Sequence, residues 1–494
     1  MTGAPAAASL AALLEHRARR LHRLVLGAVL GICVGYAAYA LLHLVPPEPY
    51  GLGGDYRVFY AAARLVAAHH DPYQMAGLRL AEQAALAYPH RVLQPVLDQF
   101  ANPPVVALAM GPLAALPFWV SYVVFTAIGL VALGMVVAVL ARDLGWRHWM
   151  VLLAATVLAW IGLLGITAGQ FDAVLTAAVG GAMVLAWRGR PGGAGALLGL
   201  CWIKPDLVWP VPLFLFVALW PDRRAALRMG AGFAGAGGGL LALQLAAAPG
   251  LLPQWWGSLG TFARAVGRAQ PDLAGLPGML GALPSAWGLG TGVASPGTLL
   301  LVAIGLAVMA GFGLWLGRAD DWTTVTRVGR IAWGVAFPLG VWMLVTPYGH
   351  PNDDLLLLPL LVLTIGRDAR RVHGLGLVGS VAAILLLLGF WPLRVLPLAL
   401  LPVVLAMAAA LLWVRRTDPR LTGFGTGIVV LTIVTLPGVA PFHALPVGLT
   451  PLAVLALVVE AGRTVWMEVG GAGTGPAYVQ RPQPTEPARV GAGG

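Results

Sequence analysis

Apolar runs about 17 to 25 residues long recur along most of this 494-residue chain, the length a helix needs to cross a hydrocarbon core about 30 Å thick. In lipid every backbone N–H and C=O must be satisfied internally, so runs of this length fold as helices. The ten-residue alternating pattern of an outer-membrane barrel is nowhere visible. Composition agrees: 59% of residues are hydrophobic and only 10% charged, against roughly 25% charged in soluble domains. The fold class expected is an all-α polytopic integral membrane protein. The net charge of +11 comes from arginines in short loops, which orient a chain in a membrane and do not make a nucleic-acid surface. Cys33 and Cys201 each fall inside an apolar run and no metal-ligand spacing exists, so no disulfide framework or zinc site is expected.

Arg17, Arg19, Arg20 and Arg23 precede the first run, about 24–45, so residues 1–23 read as a cytoplasmic N-terminal segment. That run is too long for the apolar core of a signal peptide and shows no clear cleavage site, so it is expected to stay as the first span. Residues 46–101 form a first external loop with two amphipathic patterns, about 57–69 and 74–88, at the interface. From 102 to 140 the apolar stretch is too long for one span and is interrupted at Pro112 and Pro117. A re-entrant or kinked piece followed by a full span ending at Arg142 keeps every later arginine group on the cytoplasmic side. A second large external loop, 248–294, carries Trp255, Trp256, Arg264 and Arg268 on an interfacial helix. Later spans fall near 296–317, 329–346, 353–366, 374–391, 394–414, 421–438 and 446–466, about 12–14 in all. Residues 24–466 thus form one membrane domain, and the Gly- and Pro-rich segment 467–494 a disordered cytoplasmic tail.

The same parity gathers the polar interruptions on the outer side. Gly53 and Gly54 allow a sharp turn, and Asp55 stands where a helix begins, with Arg57, Tyr60 and Arg64 on one face. Asp55 is either the cap of that helix or a free carboxylate at the mouth of the bundle. Gly169 to Asp172, Ile203 to Asp206 and Thr346 to Asp354 bring Gln170, Asp172, Lys204, Tyr348, His350, Asp353 and Asp354 to the same side. An ionisable side chain at membrane depth costs roughly 2.5 to 3.5 kcal/mol, so each needs a partner or a purpose. Lys204 is the only lysine among the 31 lysine and arginine residues and adjoins a helix-breaking proline. It is either a compact ammonium donor or a snorkelling residue at a span end. His350 is a hydrogen-bonded loop residue or an acid–base group, and Asp353 or Asp354 caps the next helix or adds a carboxylate to the site.

The ordered set GGDYRVFYAAAR, DPY, NPP, GQFD, WIKPD and TPYGHPNDDLLLLPLL, from about residue 50 to 365, resembles glycosyltransferase family 87. These are GT-C superfamily membrane enzymes that use polyprenyl-phosphate sugars, the best known being mannosyltransferases of actinobacterial glycolipid synthesis. The resemblance implies a GT-C-type bundle, a lipid-phosphate sugar donor, a glycolipid or glycan acceptor hydroxyl entering at the outer face, and inversion at the anomeric carbon. It implies Asp55 as catalytic base, Lys204-Pro205 as the family's Lys-Pro, and the last family motif at Thr346-Pro347-Tyr348 and Asp353. Two positions depart from it: Asp172 stands where members often have Asn, and Asn352 where many have an aromatic residue or His, which offsets His350.

The chemistry fits the residues independently. A carboxylate at the membrane surface can take the acceptor's proton, and Arg57, Arg64, Lys204, His350 or Arg264 can meet the charge that develops on a leaving phosphate. Tyr60, Gln170, Asp172, Tyr348 and Asp354 complete the expected binding set. No cofactor is needed, the lipid-linked sugar being a substrate, although Asp353 and Asp354 leave a divalent cation open. The alternative is a transporter or flippase of lipid-linked glycans, which would carry charged residues deep in several spans, whereas the mid-span residues here are nearly all apolar. A membrane acyl- or phosphotransferase would show a histidine-centred motif within a span, and none is present. The wealth of Ala, Gly and Arg suggests a high-GC bacterium, hence an inner-membrane protein with its site toward the periplasm.

Overall fold

The computed structural model describes residues 53–86, 99–143, 160–269, 296–318, 327–347 and 349–368, with scattered positions between 153 and 157, 275 and 277, and 454 and 465. Among these residues there are helices and no strands, and four helices are long and apolar enough to cross a membrane. The protein is an all-α polytopic membrane protein. The expected first span, the spans at 374–391, 394–414 and 421–438, and the tail lie outside the described residues.

The first loop contains α1 (Tyr56–Ala67) and α2 (Met75–Leu86). Amphipathicity places both helices at an interface, but α1 is seated more deeply than that. Tyr56 to Ala63 are all buried, and only the last turn, from Arg64, reaches the surface. The cause is the way its N-terminus docks: the N–H groups of Gly53 and Asp55 donate to the carbonyls of Thr167 and Ala168 at 2.6 and 2.8 Å. Gly169, with φ +74°, turns directly beneath Tyr56, where an added Cβ would collide with the Tyr56 Cβ at 2.5 Å.

The segment after Asn102 divides at Pro117, whereas Pro112, also expected to interrupt it, lies inside a helix. Pro104 starts the short α3 (Pro104–Ala114), the chain breaks at 115–117, and α4 (Phe118–Asp143) follows. At 1.5 Å per residue α3 is roughly 16 Å long, half the hydrocarbon thickness, whereas the 26 residues of α4 are ample. α5 (Trp160–Ala168) and α6 (Asp172–Trp187) come next, then α7 (Pro191–Gly199), a 3-10 turn (Leu200–Ile203), α8 (Pro205–Val208) and α9 (Pro210–Leu219). Long α10 (Arg223–Ala247) leads to α11 (Leu251–Ala269), the expected amphipathic helix of the second large loop, with Trp256 exposed. α12 (Pro296–Gly317) and α13 (Arg327–Val345) fall where the apolar pattern places them. The run expected as one helix at 353–366 is divided, a 3-10 turn over Pro351–Leu357 preceding α14 (Leu358–Asp368). Val454, Leu457, Val458, Ala461 and Val465, spaced as one face of a helix, are buried, and Val458 lies against Gly340 of α13.

One end of the bundle collects arginines. Arg188 forms a two-point ion pair with Asp143, Arg327 lies 3.9 Å from Asp222, and the buried Arg330 donates to the carbonyls of Ala218 and Leu316. The opposite end carries Asp55. There the helices stop at different heights. α7 and α10 run parallel with backbones in contact, Gly195 against the Met229 carbonyl and Gly199 against Gly237. α7 then gives way to the Lys204 turn, while α10 continues from Gly238 to Ala247, roughly 15 Å further. The Lys204 turn therefore lies in a recess, below the level reached by α10.

Candidate active site

Asp55 occupies the N-cap position of α1, yet its side chain makes no cap hydrogen bond. Its Oδ2 instead accepts from the Gln170 amide at 2.6 Å, across the turn between α5 and α6. The residue as a whole is partly buried. Burial raises its pKa above 3.8, while the Gln170 hydrogen bond and the positive charges of His350, Lys204 and Arg57 pull it back down.

Behind it lies a closed polar cluster. Asp172 opens α6 and is fully buried, and Lys204 follows the 3-10 turn at Leu200–Ile203, released from helical geometry by Pro205. The Lys204 ammonium is 2.5 Å from Oδ1 of Asp353 and 3.4 Å from Oδ1 of Asp172. Asn352 donates its amide to the second oxygen of Asp172 at 2.7 Å. The second oxygen of Asp353 accepts the backbone N–H of His350 at 2.7 Å, and the Asp353 N–H donates to the His350 carbonyl at 2.9 Å. Asp354, 1% exposed, has no hydrogen-bond partner for either carboxylate oxygen among the described residues. The cation between Asp172 and Asp353 is thus a protein side chain, and among the described residues no three His, Cys, Asp or Glu side chains are placed to hold a metal ion.

The remaining expected residues divide. Arg57 is buried, its Nε 3.6 Å from Glu82 of α2. Tyr60 and Arg64 are not drawn into the cluster: the Tyr60 hydroxyl donates to the Leu116 carbonyl at 2.7 Å, and Arg64, exposed, lies 5.9 Å over the Tyr60 ring. The reason is that α1 turns this face toward the break between α3 and α4. Tyr348 and the side chain of Arg264 lie outside the described residues.

Sequence reading missed the bracing of the Lys204 turn. The Tyr73 hydroxyl donates to the Asn102 carbonyl at 2.9 Å, the Asn102 amide to Ile203 at 3.3 Å, the Trp255 indole to Ala101 at 2.9 Å and the Trp342 indole to Asp206 at 2.8 Å. The signal was present as the short DPY and NPP motifs, but nothing in their spacing shows that they brace a turn about 100 residues on.

The sequence profile of glycosyltransferase family 87 matches residues 100–347, half of the chain. The chain belongs to glycosyltransferase family 87. Asn102, Gln170, Asp172 and Lys204 fall inside the matched span, whereas Asp55, His350 and Asp353 stand outside it and join these residues through the geometry above. No curated protein and no solved structure matches the chain. Membership makes the protein a glycosyltransferase, with a sugar donor and an acceptor.

Proposed function

We propose that this family 87 glycosyltransferase moves a hexose, mannose in the first instance, from a polyprenyl phosphate to a hydroxyl of a glycolipid or glycan, with inversion. The observation that carries the reading is Asp55: a carboxylate on a partly buried residue, not engaged in capping, held by the Gln170 amide at the mouth of a cluster centred on Lys204. In the reaction the acceptor oxygen forms a bond to the anomeric carbon as the bond from that carbon to the phosphate oxygen breaks. Asp55 takes the acceptor proton and the polyprenyl phosphate leaves as an anion. Lys204 and His350, both close enough to act on Asp55 by charge, provide positive potential where that anion forms. Asp353, bonded to both, fixes their spacing.

A lipid donor is supported by an apolar cavity of about 380 Å³ beside the Lys204 turn, lined by Cys201, Trp202, Pro205, Trp209, Leu213 and Phe233. The arginine end is assigned to the cytoplasm by the positive-inside rule, which puts Asp55 on the periplasmic side of a bacterial inner membrane.

The test is transfer by purified protein in detergent from radiolabelled polyprenyl-phosphate mannose to a lipid extract, with Asp55→Asn in parallel. Asn can still accept the Gln170 hydrogen bond but takes no proton. Label is expected in a new glycolipid with the wild type and at least about 100-fold less with the variant, the scale of general-base catalysis. Near-normal turnover by Asp55→Asn would refute the base. Silence across a panel of polyprenyl-phosphate sugars would favour transport of a lipid-linked glycan.

A further inference from the structure

Lys204 stands between two carbonyls that are both held from elsewhere in the fold. The Ile203 carbonyl, at the end of the 3-10 turn where helix geometry leaves acceptors to be satisfied from outside, takes the Asn102 amide at 3.3 Å. The Asp206 carbonyl takes the Trp342 indole of α13 at 2.8 Å, and that indole lies edge-on to Trp209, 5.1 Å between ring centroids. Between these anchors Lys204 has φ −145° and ψ 68°, outside the helical region that the following proline disfavours, and its ammonium reaches Asp353 and Asp172.

Trp342 ties the turn to a helix of the bundle. Asn102 ties it to the outer loops. The Asn102 carbonyl accepts the Tyr73 hydroxyl at 2.9 Å, and the neighbouring Ala101 carbonyl accepts the Trp255 indole of α11 at 2.9 Å. Tyr73 is itself fixed, its N–H donating to the Asp71 carboxylate at 2.8 Å and its ring packing on the fully buried Phe100. It stands in the connection that follows α1, the helix that opens at Asp55. One path, covalent from α1 to Tyr73 and hydrogen-bonded from there, thus joins the Asp55 helix to the residue before Lys204.

We infer that Asn102 is a positioning residue for Lys204: its side chain fixes the Ile203–Lys204 peptide, its backbone is held by the connection after α1, and the ammonium is thereby kept in register with Asp55. An in-line transfer puts the base and the leaving-group cation on opposite sides of the anomeric carbon, and a misplacement of about 1 Å costs on the order of 100-fold. This role in transfer rests on the proposed reading of Lys204. The placement of Lys204 does not.

The experiment uses the full chain in detergent. Lys204 is the sole lysine, so protein grown on lysine with carbon-13 at Cε gives one lysine NMR signal, absent from Lys204→Met. Asn102→Leu keeps a similar shape and the backbone carbonyl but has no donor. Its lysine signal is expected to shift by more than the linewidth, and kcat/KM of the folded fraction to fall about 10- to 100-fold. In a Lys204→Met background the same substitution should change kcat/KM less than about twofold, because a residue that acts through Lys204 then has nothing left to place. Asn102→Gln, which again offers an amide donor, should recover part of the loss. An unmoved lysine signal in folded Asn102→Leu overturns the inference, and so does an equal loss in both backgrounds, the mark of a residue that only braces the fold. Should Asn102→Leu not fold, Tyr73→Phe decides: it removes the hydroxyl from the Asn102 carbonyl and keeps the ring on Phe100, and an unmoved signal overturns the inference equally. A signal that moves while Asn102→Leu and Lys204→Met both transfer at near wild-type rates would uphold the placement and remove Lys204 from the proposed reaction.

Discussion

Replacing Lys204 by methionine tests the cluster most directly, because an unbranched side chain of similar length remains while the charge and its N–H donors are lost. In the native protein the ammonium lies 2.5 Å from Asp353 and 3.4 Å from Asp172, and both acids are wholly buried. Without it Asp172 keeps the Asn352 amide and Asp353 the His350 N–H, but two like charges remain side by side with no cation between them. Breaking a buried pair in this way costs about 3–5 kcal/mol. Uptake of a proton by one of the acids relieves part of that, so about 3 kcal/mol is expected, a large share of a typical stability of about 5–15 kcal/mol. The assay is unfolding by SDS in mixed micelles, followed by tryptophan emission, for Lys204→Met, Asp353→Asn and the double variant. Because Asp353→Asn removes one of the stranded charges, the double variant should lose at least about 1 kcal/mol less than the sum of the single ones, within the range found for residues in contact. Transfer by the residual folded Lys204→Met should show the donor KM rising more than the acceptor KM. A Lys204→Met protein within about 0.5 kcal/mol of wild type, the scale of an inconsequential surface change, would refute the ion pairs and return Lys204 to a snorkelling residue.

Two further outcomes follow from the geometry. Transfer, measured as kcat/KM, should decline as pH falls through the pKa of Asp55, which burial holds above 3.8; Gln170→Leu removes a hydrogen bond to the ionised form, so the acid limb should move to higher pH and the rate fall about 10- to 100-fold, the worth of about 1.5–3 kcal/mol for a bond to a charged group. Arg330→Met deprives the last turns of α9 and α12 of the guanidinium that satisfies Ala218 and Leu316, so stability in the same SDS assay should fall by about 1.5–3 kcal/mol per bond, while kcat/KM of the folded fraction stays unchanged because this end of the bundle is remote from Asp55.

The spans and the polar interruptions between them were legible because both are written in local composition. Runs such as Pro296–Gly317 need no partner to be recognised, and Pro117 or Pro205 breaks a helix wherever it stands. Asp55 was legible only as an ambiguity. A short acceptor at a helix start is an N-cap by every local rule, and what frees its carboxylate is Gln170, 115 residues away. Glu82 was invisible for the opposite reason: on an amphipathic helix a lone glutamate reads as solvated, and only the docking of α1 against the α5–α6 turn buries the seam in which it sits. The face formed by Arg57, Tyr60 and Arg64 was correct in helical register, yet register does not say which neighbour each side chain meets.

Helix length supplies what motif order does not, the depth of the site. α6 has 16 residues, roughly 24 Å, and α7 with its 3-10 turn has fewer, against roughly 37 Å for the 25 residues of α10. Since α7 and α10 lie backbone to backbone in parallel, the deficit appears at the Asp55 end, where Asp172 and Lys204 close a recess that α10 overtops. A charged group at such depth survives only if the protein itself supplies its partners, which is why Lys204 is held by two acids and each acid by a further donor. A phosphate leaving group brought to the same depth faces the same constraint. Membrane donors reach it with their apolar part already in lipid, so only the head group has to be accommodated, and the Lys204 cluster with the adjoining cavity offers one polar and one apolar surface meeting at Pro205. A nucleotide sugar would instead have to bring a polyanion out of water into a recess where Asp55, Asp172 and Asp353 already draw on the cations at hand, Lys204, His350 and Arg57.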